Sequence, residues 1–356
     1  MKIGILGLPG SGKSTLFNLL TESLEDPGYS QPHNKPRRLA VKVRDSRLER
    51  LREDYQPTKY TPAALEILDF PAFSGREEDR AGLADLLLPA REVDALLLVL
   101  RDFNSPGLLD GGAAEPVRDL NEVRAELILS DLVIVDRRLE KLAEKSRKPS
   151  YTDEDKRERA LLERVKTHLE VEKSVSEMDL GAEESKRLSG FCFLSGKPFV
   201  VVLSGESTEV AVETVQKLKE ISRGEVLPVA ARNELEILEL EEADRQAFLS
   251  EYGIKEFQRD AIIQAAYRAA GLISFLTAGD KEVRAWTIKA GDTAPQAAGT
   301  IHTDMERGFI RAEVVSYDDY VKHGGIKGAK ERGQYRLEGR EYIVQDGDII
   351  EFRFSV

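Results

Sequence analysis

Short, uninterrupted apolar runs recur through the first two thirds of the chain. They are rich in Ile, Val and Leu and occur at residues 2–6, 65–69, 94–100, 198–203 and 225–229. Continuous apolar runs are typical of parallel strands whose two faces are both covered. Because helical stretches separate several of these runs, the order of elements is β–α repeated, and it predicts a doubly wound α/β domain.

A segment whose apolar residues recur at helical spacing interrupts this domain at residues 117–190. Apolar side chains recur there at helical spacing, and the positions between them are densely charged. The recurring positions are Leu120, Val123, Leu127, Ile134, Leu139, Leu142, Leu161, Val165 and Leu169. The pattern predicts two long amphipathic helices packed antiparallel around a turn at Lys148-Pro149-Ser150. Such a hairpin is either a solvated structural feature or an arm that binds a partner, and the pattern leaves both open.

The character changes again from about Phe275, where β-like runs are separated by glycine turns. Asp346-Gly347-Asp348 predicts a tight turn between the last two of these runs, which cover residues 283–288, 308–315, 342–344 and 349–354. We therefore expect a separate α+β domain at residues 275–356. The α/β domain then comprises residues 1–116 and 191–274, and the helical hairpin at 117–190 is inserted into it.

The loop after the first strand carries a recognisable motif. Residues 7–14 read Gly-Leu-Pro-Gly-Ser-Gly-Lys-Ser, which matches the phosphate-binding spacing G-x-x-x-x-G-K-[ST] between a strand and a helix. Glycines let successive backbone N–H groups turn towards phosphate oxygens, and the helix presents its positive end to the same anion. The predicted nucleotide-binding residues of this loop are Gly7, Pro9, Gly10, Ser11, Gly12, Lys13, Ser14 and Thr15.

Three polar side chains complete the predicted site. Lys13 is the predicted catalytic residue, because its charge would stabilise the β and γ phosphates, and Ser14 would offer its hydroxyl to Mg²⁺. Asp69 ends the second strand at the edge of the sheet where ligands bind, so it is the candidate to hold a water of the Mg²⁺ shell. The alternative is that Asp69 is an ordinary carboxylate at a strand end. The motif predicts a P-loop nucleoside triphosphatase that uses Mg²⁺ with ATP or GTP.

Charge and cysteine content narrow the range of partners. The chain carries 52 Lys and Arg against 64 Asp and Glu, so its net charge is −12 and generic binding to DNA or RNA is not expected. Contact with rRNA would need a local basic patch. Cys192 is the only cysteine, which excludes an intramolecular disulfide and fits a reducing compartment. No signal peptide or membrane-spanning run is evident, so the sequence predicts a cytoplasmic protein without membrane contact.

Segments along nearly the whole chain resemble one family. These segments are the opening MKIGILGLPGSGKSTLFNLLT, the tetrapeptide Asp45-Ser46-Arg47-Leu48, the hairpin start EPVRDLNEVRAELILSDL and the terminal YRLEGREYIVQDGDIIEFRFSV. They are similar to the YchF group, the Obg-like ATPases of the translation-factor GTPase class. The resemblance implies binding of ATP with slow hydrolysis, association with ribosomes, and a C-terminal TGS domain of the β-grasp fold. It also implies a preference for ATP on the fold of a GTPase.

The base-recognition segment departs from that family. The class carries N-K-x-D after a buried strand, and the family carries N-x-x-E. Here Ser204 stands at the Asn position and Glu206 lies one residue early, so no aspartate is available for the guanine edge. A missing buried hydrogen-bond partner costs roughly 1–3 kcal/mol, which disfavours GTP without establishing ATP. Ser204 and Glu206 are the predicted residues on the base side of the site.

The switch segments depart from the class as well. Where the class carries D-x-x-G followed by Gln, this chain has Asp69-Phe70-Pro71-Ala72 followed by Phe73. Ala72 keeps the backbone N–H that would meet the γ-phosphate, whereas a phenyl ring cannot orient water, so hydrolysis should be slow. The alternative for Phe73 is that it packs beneath the loop. No threonine lies between residues 21 and 58 to bind Mg²⁺. His33 stands near the expected position, but imidazole is a poor Mg²⁺ ligand and a surface-loop residue is the favoured interpretation. Either a backbone carbonyl or water replaces the threonine, or the ordered active state is lost.

Three hypotheses follow for the function of the chain. The leading one is a slow, Mg²⁺-dependent ATPase of the YchF type, with GTP as the second choice, that associates with the ribosome. The second is a degenerate family member that binds nucleotide as a scaffold with little or no hydrolysis. The third is a small-molecule kinase, because PGSGKST also opens such enzymes, although the β-grasp tail argues against it.

Overall fold

The residues that the structure describes form two six-stranded sheets, and the chain divides into two units. The computed structural model describes residues 1–23, 36–73, 87–104, 112–252, 254 and 257–355. The first unit comprises residues 1–39 and 66–262, and the second comprises residues 40–65 and 263–356. Among the described residues, no helix is both long enough and apolar enough to cross a membrane.

The strands of the described residues are numbered in chain order. They are β1 (Lys2–Leu6), β2 (Arg37–Lys42), β3 (Lys59–Thr61), β4 (Ala64–Asp69), β5 (Ala95–Asp102), β6 (Phe199–Gly205), β7 (Val226–Val229), β8 (Leu272–Ala278), β9 (Glu282–Lys289), β10 (Phe309–Ser316), β11 (Arg336–Glu338) and β12 (Asp348–Phe354). One sheet has the order β2-β4-β1-β5-β6-β7, and the other has the order β11-β10-β12-β8-β9-β3.

The α-helices of the same residues are numbered in the same way. They are α1 (Lys13–Thr21), α2 (Ser46–Tyr55), α3 (Pro116–Lys145), α4 (Asp153–Glu170), α5 (Ala182–Leu188), α6 (Val212–Ser222), α7 (Ala231–Leu238), α8 (Glu242–Glu251), α9 (Gln258–Ala269), α10 (Ala294–Ile301), α11 (Thr303–Arg307), α12 (Tyr317–Lys322) and α13 (Ile326–Glu331).

The first sheet confirms the predicted doubly wound α/β fold. Strand β1 pairs in parallel with β4 and β5, β5 pairs in parallel with β6, and β6 with β7. The five predicted apolar runs form the strands β1, β4, β5, β6 and β7. Residues 95–101 of β5 are all buried, as expected for a parallel strand that is covered on both faces. The parallel order brings the ends of β1, β4 and β6 to one edge of the sheet, where a ligand can bind.

The two long predicted helices form, as α3 and α4. Pro116 begins α3, where the missing N–H of proline costs nothing, and Thr152 caps α4 in a reciprocal capping box with Asp155. Ion pairs join Lys145 to Asp155, Arg138 to Glu158 and Asp136 to Lys166. Because the residue numbers of the partners fall along α3 as they rise along α4, the two helices run antiparallel.

The second sheet is mixed. Strand β8 pairs antiparallel with β9 and in parallel with β12, which pairs antiparallel with β10. Phe275, Phe309 and Phe352 lie in its core cluster together with the three buried alanines of α10. This sheet with its packed helix confirms the predicted α+β character of the C-terminal region, and it includes strands β8 and β11, which the apolar runs did not predict.

One predicted strand of this region is wrong. Residues 342–344 form no strand, and only an isolated bridge joins Ile343 to Thr293. The bridge consists of two backbone bonds, from the N–H of Val344 to the carbonyl of Asp292 and from the N–H of Ala294 to the carbonyl of Tyr342. It extends no further because the partner segment enters α10 at Ala294.

Residues 40–65 group with the C-terminal residues, whereas we expected them in the α/β domain. Strand β3 pairs in parallel with β9, which attaches this segment to the second sheet. Arg47 also holds the segment, because its guanidinium donates to Asp45 and to Asp346, both at 2.8 Å. Neither the pairing of β3 with β9 nor the bond from Arg47 to Asp346 has a local signal in the sequence, since these partners are far apart along the chain.

Candidate functional site

The loop between β1 and α1 has the backbone that the motif requires. Gly10 and Gly12 have φ values of 72° and 91°, the left-handed region that favours glycine. The N–H of Ser11 donates to the carbonyl of Leu8 at 3.2 Å and closes the turn. No side chain caps the N-terminus of α1, so the first N–H groups of this helix remain available to an anion.

The loop lies close to its neighbours, which leaves no room for side chains at two glycines. A Cβ at Gly7 would lie 2.5 Å from the carbonyl oxygen of Val99 in β5, and one at Gly12 would lie 2.8 Å from the hydroxyl of Ser204 in β6. The backbone of β5 at Val99 and the side chain of Ser204 in β6 therefore pack directly against the loop. This contact is the structural reason for glycine at positions 7 and 12.

Lys13 is a buried cation at the start of α1. Its ammonium lies 3.5 Å from the carbonyl oxygen of Leu8, and within the described part of the chain it makes no ion pair. Burial lowers the pKa of Lys13 from 10.5 to about 8, and the charge of Asp69 partly opposes this shift. Among the described residues only the charge of Asp69 acts on Lys13 from nearby, and a polyanion that entered the loop would supply a direct counter-charge.

Ser14 and Asp69 come together as predicted for metal ligands. The hydroxyl of Ser14 donates to Oδ2 of Asp69 at 3.4 Å. The other oxygen of Asp69, Oδ1, is buried and has no hydrogen-bond partner among the described residues. A hydroxyl and a carboxylate are the hard oxygen ligands that Mg²⁺ prefers, and an orphaned carboxylate oxygen fits a bound cation or a water of its shell.

Arg37 also reaches Asp69, and sequence analysis missed it. Its Nη2 and Nε donate to Oδ2 of Asp69 at 2.7 and 3.3 Å. The only signal for this contact is its position: Arg37 begins β2, the edge strand beside β4, which Asp69 ends. Neither the register of β2 nor the direction of its first side chain was predictable from the apolar pattern.

The two predicted base-side residues lie in different environments. Ser204 is buried at the end of β6 with its hydroxyl against Gly12, so its side chain supports the phosphate loop. Glu206 is exposed, and only its backbone carbonyl is engaged, by Nδ2 of Asn233 at 3.0 Å. Asn233 lies on α7 and thus ties the loop after β6 to the helix after β7, a second contact that the sequence did not predict.

The segment after Asp69 is described as far as Phe73. The Phe73 side chain is 3% exposed and belongs to the core cluster that contains Leu6, Leu96 and Leu120. Phe73 therefore packs beneath the loop, which was one of the two alternatives. Ala72 is exposed beside it, and His33 lies outside the described residues.

Comparison with known proteins agrees with this geometry. A family model described as 50S ribosome-binding GTPase matches residues 2–151, and the YchF-GTPase C-terminal model, described as a protein of unknown function, matches residues 272–355. The ribosome-binding ATPase YchF of Bacillus subtilis is 40% identical over 366 residues, which cover 99% of each chain. Obg-like ATPase 1 of Caenorhabditis elegans is 36% identical and covers 100% of this chain and 92% of its own length.

A solved structure extends the agreement to the fold. The structure of the Schizosaccharomyces pombe YchF GTPase matches with a TM-score of 0.82 at 28% identity, over 99% of this chain and 97% of that one. The phosphate loop, the parallel sheet and the Ser14–Asp69 pair define a P-loop nucleoside triphosphatase. Given identity of 36–40% to curated relatives over nearly their whole length, the chain belongs to the YchF family, as its sequence segments indicated.

Proposed function

We propose that the chain binds ATP with Mg²⁺ at residues 7–15, hydrolyses it slowly, and acts on or beside the ribosome. Lys13 would hold the β and γ phosphates, and Ser14 and Asp69 would hold the metal ion. The N–H of Ala72 would meet the γ-phosphate. Mg²⁺, when bound, supplies the charge that neutralises the β- and γ-phosphate oxygens.

The observation that carries this proposal is the buried, uncompensated charge of Lys13. A buried cation is costly unless a counter-ion accompanies it. Lys13 lies at the uncapped start of α1, and its ammonium is near the turn of the phosphate loop. A triphosphate would satisfy both the ammonium and the N–H groups of the helix, so the free chain is set up to bind a polyanion.

Three observations support slow hydrolysis of ATP in preference to GTP. The loop after β6 contains no aspartate for the guanine edge, and loss of that buried hydrogen bond would weaken GTP by roughly 1–3 kcal/mol. Phe73 is buried in the core and offers no group to orient a water molecule. The relatives at 36–40% identity are named as ATPases.

The proposed ribosome contact rests on the bacterial relatives, which are named ribosome-binding ATPases. With a net charge of −12, a contact with rRNA would have to be local. We propose the division into an α/β domain at 1–116 and 191–274, a hairpin at 117–190 and a TGS-like domain at 275–356, corrected only in that residues 40–65 group with the C-terminal unit. Ribosome association would also imply a cytoplasmic location.

Titration with fluorescent ATP and GTP analogues, with and without Mg²⁺, tests nucleotide binding. We expect tighter binding of the ATP analogue, and we expect Lys13→Ala to abolish most of it. Lys217→Ala, which removes an exposed lysine of α6 that pairs with Glu213, is the matched control and should bind as the wild type does. A GTP analogue that bound tenfold tighter than the ATP analogue would contradict the proposed base preference.

Single-turnover phosphate release then separates the enzyme from a scaffold. The scaffold is the second candidate because Arg37 engages Asp69, the residue that would hold the metal. Release from the wild type that is faster than release from Lys13→Ala supports the ATPase. Equal rates in the two proteins, with nucleotide binding intact in the wild type, would favour the scaffold.

A further inference from the structure

Arg37 is held at the predicted metal site by three neighbours. Its guanidinium bonds to Oδ2 of Asp69, its Nη1 lies 3.4 Å from Oδ1 of Asn18, and its plane lies 4.4 Å from the centre of the Phe17 ring. The side chains of Arg37 and Asp69 are 16% and 7% exposed. Such a pair is largely desolvated and is therefore screened less by salt than a surface ion pair.

The bond engages the carboxylate that the predicted metal site needs. Oδ2 of Asp69 accepts from Nη2 and Nε of Arg37 and from the hydroxyl of Ser14, so three donor groups converge on one atom. The other oxygen has no partner among the described residues. In the structure the two predicted metal ligands, Ser14 and Asp69, are thus engaged with each other and with a cation of the chain itself.

We propose that Arg37 is a built-in competitor of Mg²⁺, which holds Asp69 in the metal-free chain and must release it when Mg²⁺ binds with nucleotide. The inference rests on the proposed function, because it takes Mg²⁺ and nucleotide to bind together. Arg37 is then a positioning residue that sets how much Mg²⁺ the chain requires.

The chemistry of the two cations supports competition over cooperation. A guanidinium is charged at all accessible pH values and cannot make room by losing a proton. Mg²⁺ requires an almost regular octahedron of oxygens with short bonds, and its water shell needs lone pairs that point at it. Two cations that approach one carboxylate repel each other even when each faces a different oxygen, and the low exposure of the pair reduces the screening of that repulsion.

The test measures the Mg²⁺ concentration at half-maximal binding of a non-hydrolysable fluorescent ATP analogue. Removal of the competitor in Arg37→Ala should lower this midpoint by about tenfold, a typical coupling between two sites. Arg37→Gln keeps much of the stem beside Phe17 while it removes the charge, and it should shift the midpoint in the same direction. Melting of each variant without nucleotide establishes that it is folded.

Arg38→Ala is the matched control. Arg38 is the next residue of β2, but its side chain is 73% exposed and lies 3.9 Å from Glu66, so its loss should leave the midpoint unchanged.

Where the wild type binds nucleotide, three outcomes would overturn the inference. An unchanged midpoint in both Arg37 variants would mean that Arg37 does not compete with the metal. A higher midpoint would mean that Arg37 orients Asp69 for the metal, and loss of all nucleotide binding in folded variants would make Arg37 a required ligand. If the wild type binds no nucleotide under any condition, the proposed function fails and the inference fails with it. A wild type whose Mg²⁺ dependence is shared by the Arg37 variants overturns the inference alone.

Discussion

Two buried aspartates of the first unit each hold an arginine, and they differ in how fully their oxygens are used. Both carboxylate oxygens of Asp131 accept hydrogen bonds. Oδ1 accepts from Arg91 at 2.6 Å and from the N–H of Leu194 at 2.9 Å, and Oδ2 accepts from the N–H of Ser195 at 2.8 Å. Asp69 accepts only at Oδ2, and Oδ1 has no partner in the described part of the chain. Burial and an arginine are common to both sites, so neither of them separates a structural carboxylate from a ligand-binding one.

The arginines differ in the same way. Arg91 also donates to the hydroxyl of Ser130 at 2.7 Å and to the carbonyl of Cys192 at 3.2 Å, so its guanidinium is well satisfied. Arg37 has one short bond to Asp69, and its remaining contacts are longer. The first pair joins α3 to the segment before β5 and to the chain that re-enters the sheet, and it has no capacity for a ligand. The second pair has such capacity, beside the phosphate loop.

The largest expected effect is a loss of stability when the Arg91–Asp131 pair is broken. Asp131→Ala leaves the buried charge of Arg91 without a counter-ion, and we expect it to lower the free energy of unfolding by about 3–5 kcal/mol. Denaturant unfolding measures the change. Asp136→Ala on the same helix removes a half-exposed partner of Lys166 and should cost less than about 1 kcal/mol. If Asp131→Ala lowered the free energy of unfolding no more than Asp136→Ala does, full hydrogen bonding of both carboxylate oxygens would not identify a structural ion pair.

A third buried acid, Glu234, should show an effect of intermediate size. Its Oε2 accepts the N–H of Gln258, its Oε1 has no partner among the described residues, and burial raises its pKa from 4.5 to about 7. The folded chain binds more protons than the unfolded chain between these two values, so the free energy of unfolding falls as the pH rises through this window. The shift corresponds to about 3 kcal/mol, to be taken as an order of magnitude.

Glu234→Gln should remove this pH dependence, because the amide keeps an acceptor for Gln258 and does not ionise. The quantity to compare is the difference in unfolding free energy between wild type and variant at pH 5 and at pH 8. Glu236→Gln, an exposed neighbour on α7, serves as the control. A difference that is the same at both pH values would show that Glu234 titrates normally. Like Asp69, Glu234 has one carboxylate oxygen without a partner among the described residues, but it does not lie beside a predicted metal ligand. The result therefore shows what an unpartnered oxygen does to stability away from the metal site.

The smallest effect on stability is expected at Asp69 itself. Asp69→Asn keeps an acceptor for the partly exposed guanidinium of Arg37 but removes its counter-ion, and we expect the free energy of unfolding to fall by about 1–2 kcal/mol, less than at Asp131. Mg²⁺-dependent binding of an ATP analogue should nevertheless weaken by about 10–100-fold, as is usual when a carboxylate around a metal site is removed. Unfolding and binding are measured on the same preparation. A large loss of stability with binding intact would reverse the roles that we assign to Asp69 and Asp131.

Much of this architecture could be predicted from local patterns. The apolar runs located all the interior strands of the first sheet, the helical period located α3 and α4, and the spacing of Gly7, Gly12 and Lys13 located the phosphate loop. The errors lie where the signal is short or shared. Residues 342–344 have the apolar character of a strand, but they form only one bridge because their partner segment enters α10 at Ala294. Strand β2 carries polar side chains at an edge of its sheet.

By itself, the sequence determined those features whose cause lies within a few residues: the left-handed glycines of the loop, the capped helices and the continuous strands. Only the tertiary structure decided which charges meet. Arg37 reaches Asp69 across 32 residues and Arg47 reaches Asp346 across 299, and no local period links such positions. A charged side chain carries the same charge whether it contacts an opposite charge or water. Which partner it pairs with therefore depends on strand order and burial. The sequence therefore indicates that a phosphate site exists, and the fold decides that an arginine occupies its metal ligand.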